Sequence, residues 1–173
     1  MIPPAQTAVV MVNAIGQHEG VWSRLRQALP PRFVATPFTP DLILPYPQQV
    51  EQLAGLVAAL GQPVHLVGWC TGPKMLLRTA IMVPDAVASL TFLNPSFKSP
   101  DRPTTMNTPY ESELEALLTT VVARPQMAAR LATVLAAQRS SGSAAQIGLP
   151  PELESSAGRV LTDPDLLVLY ALR

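Results

Sequence analysis

The chain has few residues of the types that build redox and metal sites. Among its 173 residues, Cys70 is the only cysteine and His18 and His65 are the only histidines. A single cysteine excludes an internal disulfide and any zinc site built from several cysteines. Two histidines are too few for a histidine-rich metal site, so we predict neither a metal nor another cofactor. A reducing, cytoplasmic setting is the expected location.

Charge is also scarce. Only 14% of the residues are charged, against about 25% in ordinary soluble domains. Twelve basic residues balance twelve acidic ones, which argues against binding to nucleic acid or to an anionic membrane surface. With 48% hydrophobic residues, the composition is that of a folded chain and not of a disordered one. A surface with so little charge suggests that a partner chain or a lipid-like group covers part of it.

Long apolar runs are missing as well. Proline, glycine, glutamine or arginine interrupts every apolar stretch before it reaches the 18 or more residues of a membrane span. The first residues, Met1 to Gln6, have neither a basic region nor an apolar core. We therefore predict no membrane span and no signal peptide.

The first half of the chain alternates short apolar runs with helical patterns. Runs rich in β-branched residues predict four strands, and apolar residues three and four positions apart predict three helices between them. This order indicates an α/β fold with a mostly parallel sheet and helices on both faces. The predicted strands are Ala8–Val12, Phe33–Thr36, Val64–Trp69 and Val87–Leu93, and the predicted helices are Val21–Leu29, Gln48–Leu60 and Thr71–Val83.

The second half has a different character, with a polar connector followed by helical signals alone. Helices are predicted over Tyr110–Ala123 and Pro125–Gln138. A last helix is predicted over Asp165–Arg173, with Asp163 as its N-cap and Pro164 at its first position. We expect two parts, an α/β core over residues 1–97 and an all-helical cap or lid region over residues 98–173.

The most specific motif is Gly68-Trp69-Cys70-Thr71-Gly72, where a buried strand meets a helix. A turn this tight strains the backbone of its central residue, and small residues two positions to either side let the strand and helix approach closely. The pattern is the nucleophile elbow G-x-S-x-G with cysteine in the serine position. The alternative is that Cys70 is a small buried cysteine without a chemical role.

With this motif, residues 8–97 resemble the α/β-hydrolase family, including its members with a cysteine nucleophile such as dienelactone hydrolases, polyhydroxyalkanoate synthases and some thioesterases. The loop Asn13-Ala14-Ile15-Gly16 takes the place of the family's His-Gly-x motif, and the helices after residue 109 take the place of its cap. The resemblance implies that Cys70 is the nucleophile. It also implies an oxyanion hole made by the backbone N–H groups of Ile15 and Thr71.

The residue chemistry of Cys70 supports the same role. A thiol at a helix N-terminus lies near the positive end of the helix dipole, which favours the thiolate. A thiolate attacks thioesters and activated esters, and the acyl-enzyme it forms is itself a thioester that can pass its acyl group on. Trp69, beside the nucleophile, is a candidate for lining an acyl pocket, with sheet-to-helix packing as the alternative.

Departures from the family pattern concern the acid and the base. In the family both follow the cap, but no histidine and no strand pattern occur here after residue 97. His18, in the loop expected beside the nucleophile, is a candidate base or substrate contact, whereas His65 is expected to be a packed histidine. Asn94 ends a strand where some relatives place the acid, and it could orient a base by hydrogen bonding. Asp101 is a weaker candidate acid.

Two functional hypotheses follow. The first is an acyl-transfer enzyme (a thioesterase, hydrolase or transacylase) that forms a covalent acyl-enzyme on Cys70. Its substrate would be a small acyl ester or thioester, free or bound to a carrier. Because the acid and the histidine are missing, a second chain or a further segment would complete the site. The second hypothesis is a binding or assembly subunit that keeps the fold without catalysis.

Overall fold

The computed structural model describes residues 6–17, 19–95, 97, 109–140 and 160–172. The chain divides into two compact units, Met1–Phe97 and Lys98–Arg173. Asp101, the weaker candidate for the acid, lies outside the described residues. Within the described part, no helix is long and apolar enough to cross a membrane.

The first unit is built on a four-stranded parallel sheet. Its strands are β1 (Thr7–Val12), β2 (Phe33–Phe38), β3 (Val64–Cys70) and β4 (Val87–Pro95), in the order β2-β1-β3-β4. The helices between them are α1 (Ser23–Ala28), which follows a 3₁₀ turn over Glu19–Trp22, α2 (Tyr46–Ala59) and α3 (Gly72–Met82). This confirms the predicted fold class.

Alternation along β1 divides the core between the two faces of the sheet. Ala8, Val10 and Val12 belong to the larger apolar cluster, which contains buried residues of α2 and α3 such as Leu53 and Leu76. The smaller cluster, on the opposite face, is formed by Val9, Met11 and Trp22 with half-buried residues around them. Both faces of β1 are therefore covered, which explains why its sequence is a continuous apolar run.

Several element boundaries differ from the predicted ones near prolines. Strand β2 runs to Phe38 and includes Pro37, which is tolerated because β2 lies at the edge of the sheet. Helix α2 begins at Tyr46, because Pro47 lies in its first turn, where its missing N–H costs no hydrogen bond. Strand β4 likewise continues beyond Leu93 to Pro95.

The second unit is helical in its described part. It contains α4 (Pro109–Ala123), a 3₁₀ turn over Pro125–Met127, α5 (Ala128–Ser140) and α6 (Pro164–Ala171). Val121, Ala128 and Leu167 form its buried centre. The Asp163 side chain accepts hydrogen bonds from the N–H groups of Asp165 (3.0 Å) and Leu166 (3.1 Å), which confirms the predicted N-cap.

Candidate active site

The predicted elbow is present at the carboxyl end of β3. Cys70 is the last residue of this strand, and α3 begins two residues later. Its backbone has a φ of 53°, in the left-handed region that residues other than glycine rarely adopt. Such strain persists only where the surrounding structure imposes it. Here the tight strand-to-helix turn holds the half-buried thiol at the start of α3.

The two glycines of the motif are required by close packing. A β-carbon on Gly68 would lie 2.9 Å from Leu76 Cδ1 and 3.1 Å from the backbone nitrogen of Pro73, on the following helix. A β-carbon on Gly72 would lie 2.8 Å from the carbonyl oxygen of Val12, on the neighbouring strand. The glycines therefore let α3 approach both β3 and β1, as the motif predicts.

The loop after β1 lies beside the elbow because of the strand order. Strands β1 and β3 are neighbours, while the next strands along the chain, β2 and β4, lie on opposite sides of this pair. Ligands of open α/β sheets bind at this kind of switch point, outside the carboxyl ends of the strands. The topology thus brings the Asn13–Gln17 loop and Cys70 to the same edge.

Asn13, in the position of the family's histidine, holds this loop in shape. Its buried side-chain amide donates to the carbonyl oxygen of Gln17 (3.2 Å) and to Thr39 Oγ1 (2.8 Å). The Gln17 N–H donates to the carbonyl oxygen of Ala14 (3.1 Å), and Gly16 between them has a φ of 74°. This is the pattern of a type II turn, whose third residue needs a positive φ.

The two predicted oxyanion donors, Ile15 and Thr71, are brought together, but both N–H groups are already engaged. The Ile15 N–H donates to Thr71 Oγ1 at 3.0 Å. The Thr71 N–H donates to the Cys70 sulfur. The site therefore contains the expected donors in a hydrogen-bonded arrangement that includes a side-chain hydroxyl, which the motif alone did not indicate.

The ionisation of Cys70 differs from the expectation of a favoured thiolate. Burial raises the pKa of the thiol, because the charged form loses solvation. The hydrogen bond from the Thr71 N–H and the positive charge of Lys74 lower it, but burial has the larger effect. The thiol is therefore mostly protonated at neutral pH, and a nearby base is needed to make it a nucleophile.

The sequence analysis did not identify Lys74 as a residue that lowers the pKa of Cys70. This exposed residue lies four positions after Cys70, in the first turn of α3. The available signal was a cationic side chain in the first turn of the helix that follows the nucleophile.

Trp69 faces the smaller apolar cluster. It packs there as a half-buried residue, in the same cluster as Trp22. This arrangement is the sheet-to-helix packing that was the alternative to lining a pocket. Within the described residues, the indole N–H groups of both tryptophans lack a hydrogen-bond acceptor.

Asn94 lies on the same edge as Cys70. The register between β3 and β4 shifts at this point, with Trp69 opposite Leu93 and Cys70 opposite Pro95, so Asn94 is the extra residue. Asn94 has a φ of 44°, and it and Cys70 are the two non-glycine residues of the described chain with positive φ. Its side chain is exposed. The irregularity is a β-bulge of the kind found next to active sites.

Of the two histidines, His65 lies within the described residues and His18 does not. His65 Nδ1 lies 2.7 Å from Ser89 Oγ on the neighbouring strand, as expected of a packed histidine. It precedes Cys70 by five residues, which is about 16 Å along a strand, so it cannot act as its base. His18 lies outside the described residues, and its role as base or substrate contact remains a prediction. No three metal-ligating side chains cluster anywhere in the described ranges.

Comparison with solved structures identifies the architecture. A hydrolase from Oleispira antarctica superposes with a TM-score of 0.60 at 20% identity, covering 96% of this chain and 64% of its own. The N-formylmaleamic acid deformylase of Pseudomonas putida S16 gives a TM-score of 0.57 at 14% identity, covering 98% and 65%. An α/β hydrolase from Sphaerobacter thermophilus gives 0.51 at 19% identity, covering 97% and 64%. The chain has the α/β-hydrolase fold, in part.

One curated relative has clear sequence similarity. The pimeloyl-[acyl-carrier protein] methyl ester esterase of Methylococcus capsulatus is 38% identical over 96 aligned positions, which cover 49% of this chain and 35% of the esterase. No family model matches the sequence. The chain thus spans about a third of the curated relative and less than two thirds of the solved hydrolases.

Proposed function

We propose that this chain is the nucleophile-bearing part of an enzyme that hydrolyses or transfers acyl groups through a covalent intermediate on Cys70. One observation carries the proposal: Cys70 stands in a left-handed conformation between two glycines where a β-carbon would lie 2.8–2.9 Å from the nearest neighbouring atoms. A buried cysteine without a role would need neither the strain nor the close approach. The similarity to an esterase that acts on a carrier-bound ester supports the same class of substrate.

The proposed reaction has two steps. The thiol gives its proton to a base, and the sulfur attacks the carbonyl carbon of an ester or thioester. A C–S bond forms and the carbonyl electron pair moves to oxygen. When the carbonyl re-forms, the alcohol or thiol leaves with a proton, and the acyl group remains on Cys70 as a thioester. Water or another acceptor then attacks this thioester and releases the thiol.

The base and the acid are proposed to come from outside the described residues. The raised pKa of Cys70 makes a base necessary, and His65 is too distant to be one. A second polypeptide, or a further segment, would supply a histidine and a carboxylate. Free thioesters and carrier-bound thioesters both fit this chemistry.

Exposed apolar side chains near β4 support the proposal that a further strand and helix pack there. Strand β4 lies at the edge of the sheet, and its Leu93 is exposed. On α3, which packs against β3, Ile81 is 76% and Met82 50% exposed. A strand added beside β4, followed by a helix against α3, would cover these side chains and end the open edge.

Acylation of the full chain tests the proposal. The protein is incubated with p-nitrophenyl acetate, and the adduct is located by peptide mass spectrometry. We expect an acetyl group on Cys70 that is absent from Cys70→Ala. Added imidazole should accelerate ester turnover by the wild-type protein beyond its effect on Cys70→Ala, because it replaces the missing base. A Cys70 that reacts with iodoacetamide but is never acetylated would contradict the proposal and favour a binding subunit.

The proposed partner is tested separately. Light scattering on the protein purified from its own source should give a mass above that of the single chain. A monomer of this chain whose ester turnover exceeds that of Cys70→Ala by the same amount with and without imidazole would show that no partner is needed.

A further inference from the structure

The hydrogen bond between Ile15 and Thr71 occupies the position where the oxyanion hole is expected. An oxyanion must lie about 2.7–3.1 Å from its donors. Thr71 Oγ1 lies 3.0 Å from the Ile15 nitrogen, in the direction of its N–H. A substrate oxygen cannot reach the same N–H while the hydroxyl is there, because a single N–H makes one well-aligned hydrogen bond.

The Thr71 hydroxyl does not cap helix α3, although Thr71 occupies the N-cap position. Thr71 is the N-cap of α3, where a threonine hydroxyl normally accepts a hydrogen bond from the second or third N–H of the helix. Here its backbone is helical, and the side chain makes no capping bond. The hydroxyl instead bridges 56 positions in sequence to the loop after β1.

The hydroxyl also has a proton to give. A threonine hydroxyl accepts up to two hydrogen bonds and donates one. Its oxygen accepts from Ile15, and none of the described residues accepts its hydrogen. The turn that contains Ile15 is fixed by the Gln17–Ala14 bond and by the buried Asn13 amide. The Ile15 N–H therefore fixes the position of the Thr71 hydroxyl oxygen. The hydroxyl hydrogen remains free to be donated to another acceptor.

We propose that the Thr71 hydroxyl is a catalytic residue that donates its hydrogen bond to the oxyanion formed on Cys70, with the Ile15 N–H acting as a positioning group behind it. This assignment rests on the proposed acyl-transfer function. In the first step, the electron pair of the carbonyl moves to oxygen, and that oxygen accepts from Thr71 Oγ1. A chain of two aligned hydrogen bonds is stronger than either bond alone. The competing arrangement, in which the hydroxyl only blocks the hole, predicts the opposite effect of its removal.

The test compares two reactions of the same thiol in the full chain. Acylation by p-nitrophenyl acetate passes through an oxyanion, whereas alkylation by iodoacetamide displaces iodide and forms none. Both reactions need the thiolate, so the ratio of their rates at Cys70 does not depend on how much thiolate is present. The ratio, measured at several pH values, therefore reports stabilisation of the oxyanion.

Three substitutions of Thr71 separate the possibilities. Thr71→Ser keeps the hydroxyl and should keep the ratio close to that of the wild-type protein. Thr71→Val puts a methyl group in place of the hydroxyl and should lower the ratio about 100-fold, the typical loss for one oxyanion donor. Thr71→Ala should lower it less, because the vacated space lets the oxyanion reach the Ile15 N–H directly.

Thr79→Val is the matched control. Thr79 is buried on the same helix, and its hydroxyl has no partner among the described residues. This substitution should leave the ratio unchanged. Thermal unfolding of each variant checks the fold, and Thr71→Ala with Thr71→Ser decide the question if Thr71→Val does not fold.

The outcomes are distinct. A ratio that stays constant or rises in Thr71→Val, or that rises in Thr71→Ala, while the wild-type protein is acylated, would overturn the role of Thr71 alone. A wild-type protein that is alkylated at Cys70 but never acylated would overturn both this role and the acyl-transfer function.

Discussion

The carbonyl oxygen of Val12 lies 2.8 Å from the point that a β-carbon on Gly72 would occupy. The obstacle is backbone in the buried last residue of β1, so it cannot move aside as a flexible side chain would. Gly72→Ala should therefore push α3 away from the sheet and lower the free energy of unfolding by about 1–3 kcal/mol, the usual cost of overpacking. Urea unfolding of the full chain measures the loss, and the iodoacetamide reaction of Cys70 should accelerate as the thiol becomes exposed.

Gly55→Ala is the matched control. Gly55 is an exposed residue inside α2, and a β-carbon there would meet nothing within 4 Å. Alanine should raise the free energy of unfolding by about 0.5–1 kcal/mol, because glycine is a poor helix former. Equal effects of the two substitutions would contradict the close packing at the elbow.

The alkylation of Cys70 should have an unusual pH dependence. Burial raises the pKa of the folded thiol, so the rate with iodoacetamide should reach its midpoint at a higher pH than in the same chain unfolded in urea. By linkage, the buried thiol contributes stability that is fully present below the pKa of the unfolded thiol. This contribution is lost as the pH rises through the folded pKa. A midpoint at or below the unfolded value would contradict the dominance of burial.

Removal of Lys74 should move that midpoint further upward. The Lys74 ammonium group is the charge that lowers the thiol pKa, so Lys74→Met should slow alkylation at a fixed pH. Because Lys74 is exposed, the difference from the wild-type protein should shrink as salt is added. Arg78→Met, one helical turn later and also exposed, is the control and should leave the midpoint in place.

The fully buried Gln49 should be important for stability. Its side-chain amide donates to the carbonyl oxygens of Asp41 (2.6 Å) and Leu44 (2.7 Å), and so joins α2 to the loop between β2 and α2. Gln49→Leu removes both donors and leaves two carbonyl groups without this partner, which should cost about 1–3 kcal/mol. The neighbouring Gln48 is exposed, and Gln48→Leu should change the unfolding midpoint little.

Much of the fold was predictable because its elements follow periodic patterns. The continuous apolar run of β1 and the alternation of strands and helices depend on burial, which is visible in the sequence. The elbow was predictable for a different reason, since Gly68 and Gly72 mark positions where a β-carbon would crowd the following helix or the neighbouring strand. The N-cap at Asp163 belongs to the same class of local signals.

The remaining features depend on contacts between distant residues. The bond from Ile15 to Thr71 joins a turn and a helix that are far apart in sequence, and a threonine after the nucleophile is equally consistent with a helix cap. The ionisation of Cys70 was expected in the wrong direction, because the helix dipole is visible in the sequence whereas the depth of burial is not. The bulge at Asn94 likewise depends on how β4 pairs with β3.

The bulge has a consequence for the freedom of the thiol. Asn94 is the residue of β4 without an opposite partner, and the pairing with β3 resumes after it. Cys70 lies opposite Pro95 on one side and leads directly into α3 on the other. The strand pairing and the start of α3 thus restrain the Cys70 backbone in its left-handed conformation. The conformational entropy of the Cys70 backbone is therefore lost once, when the chain folds, and not again each time a ligand binds.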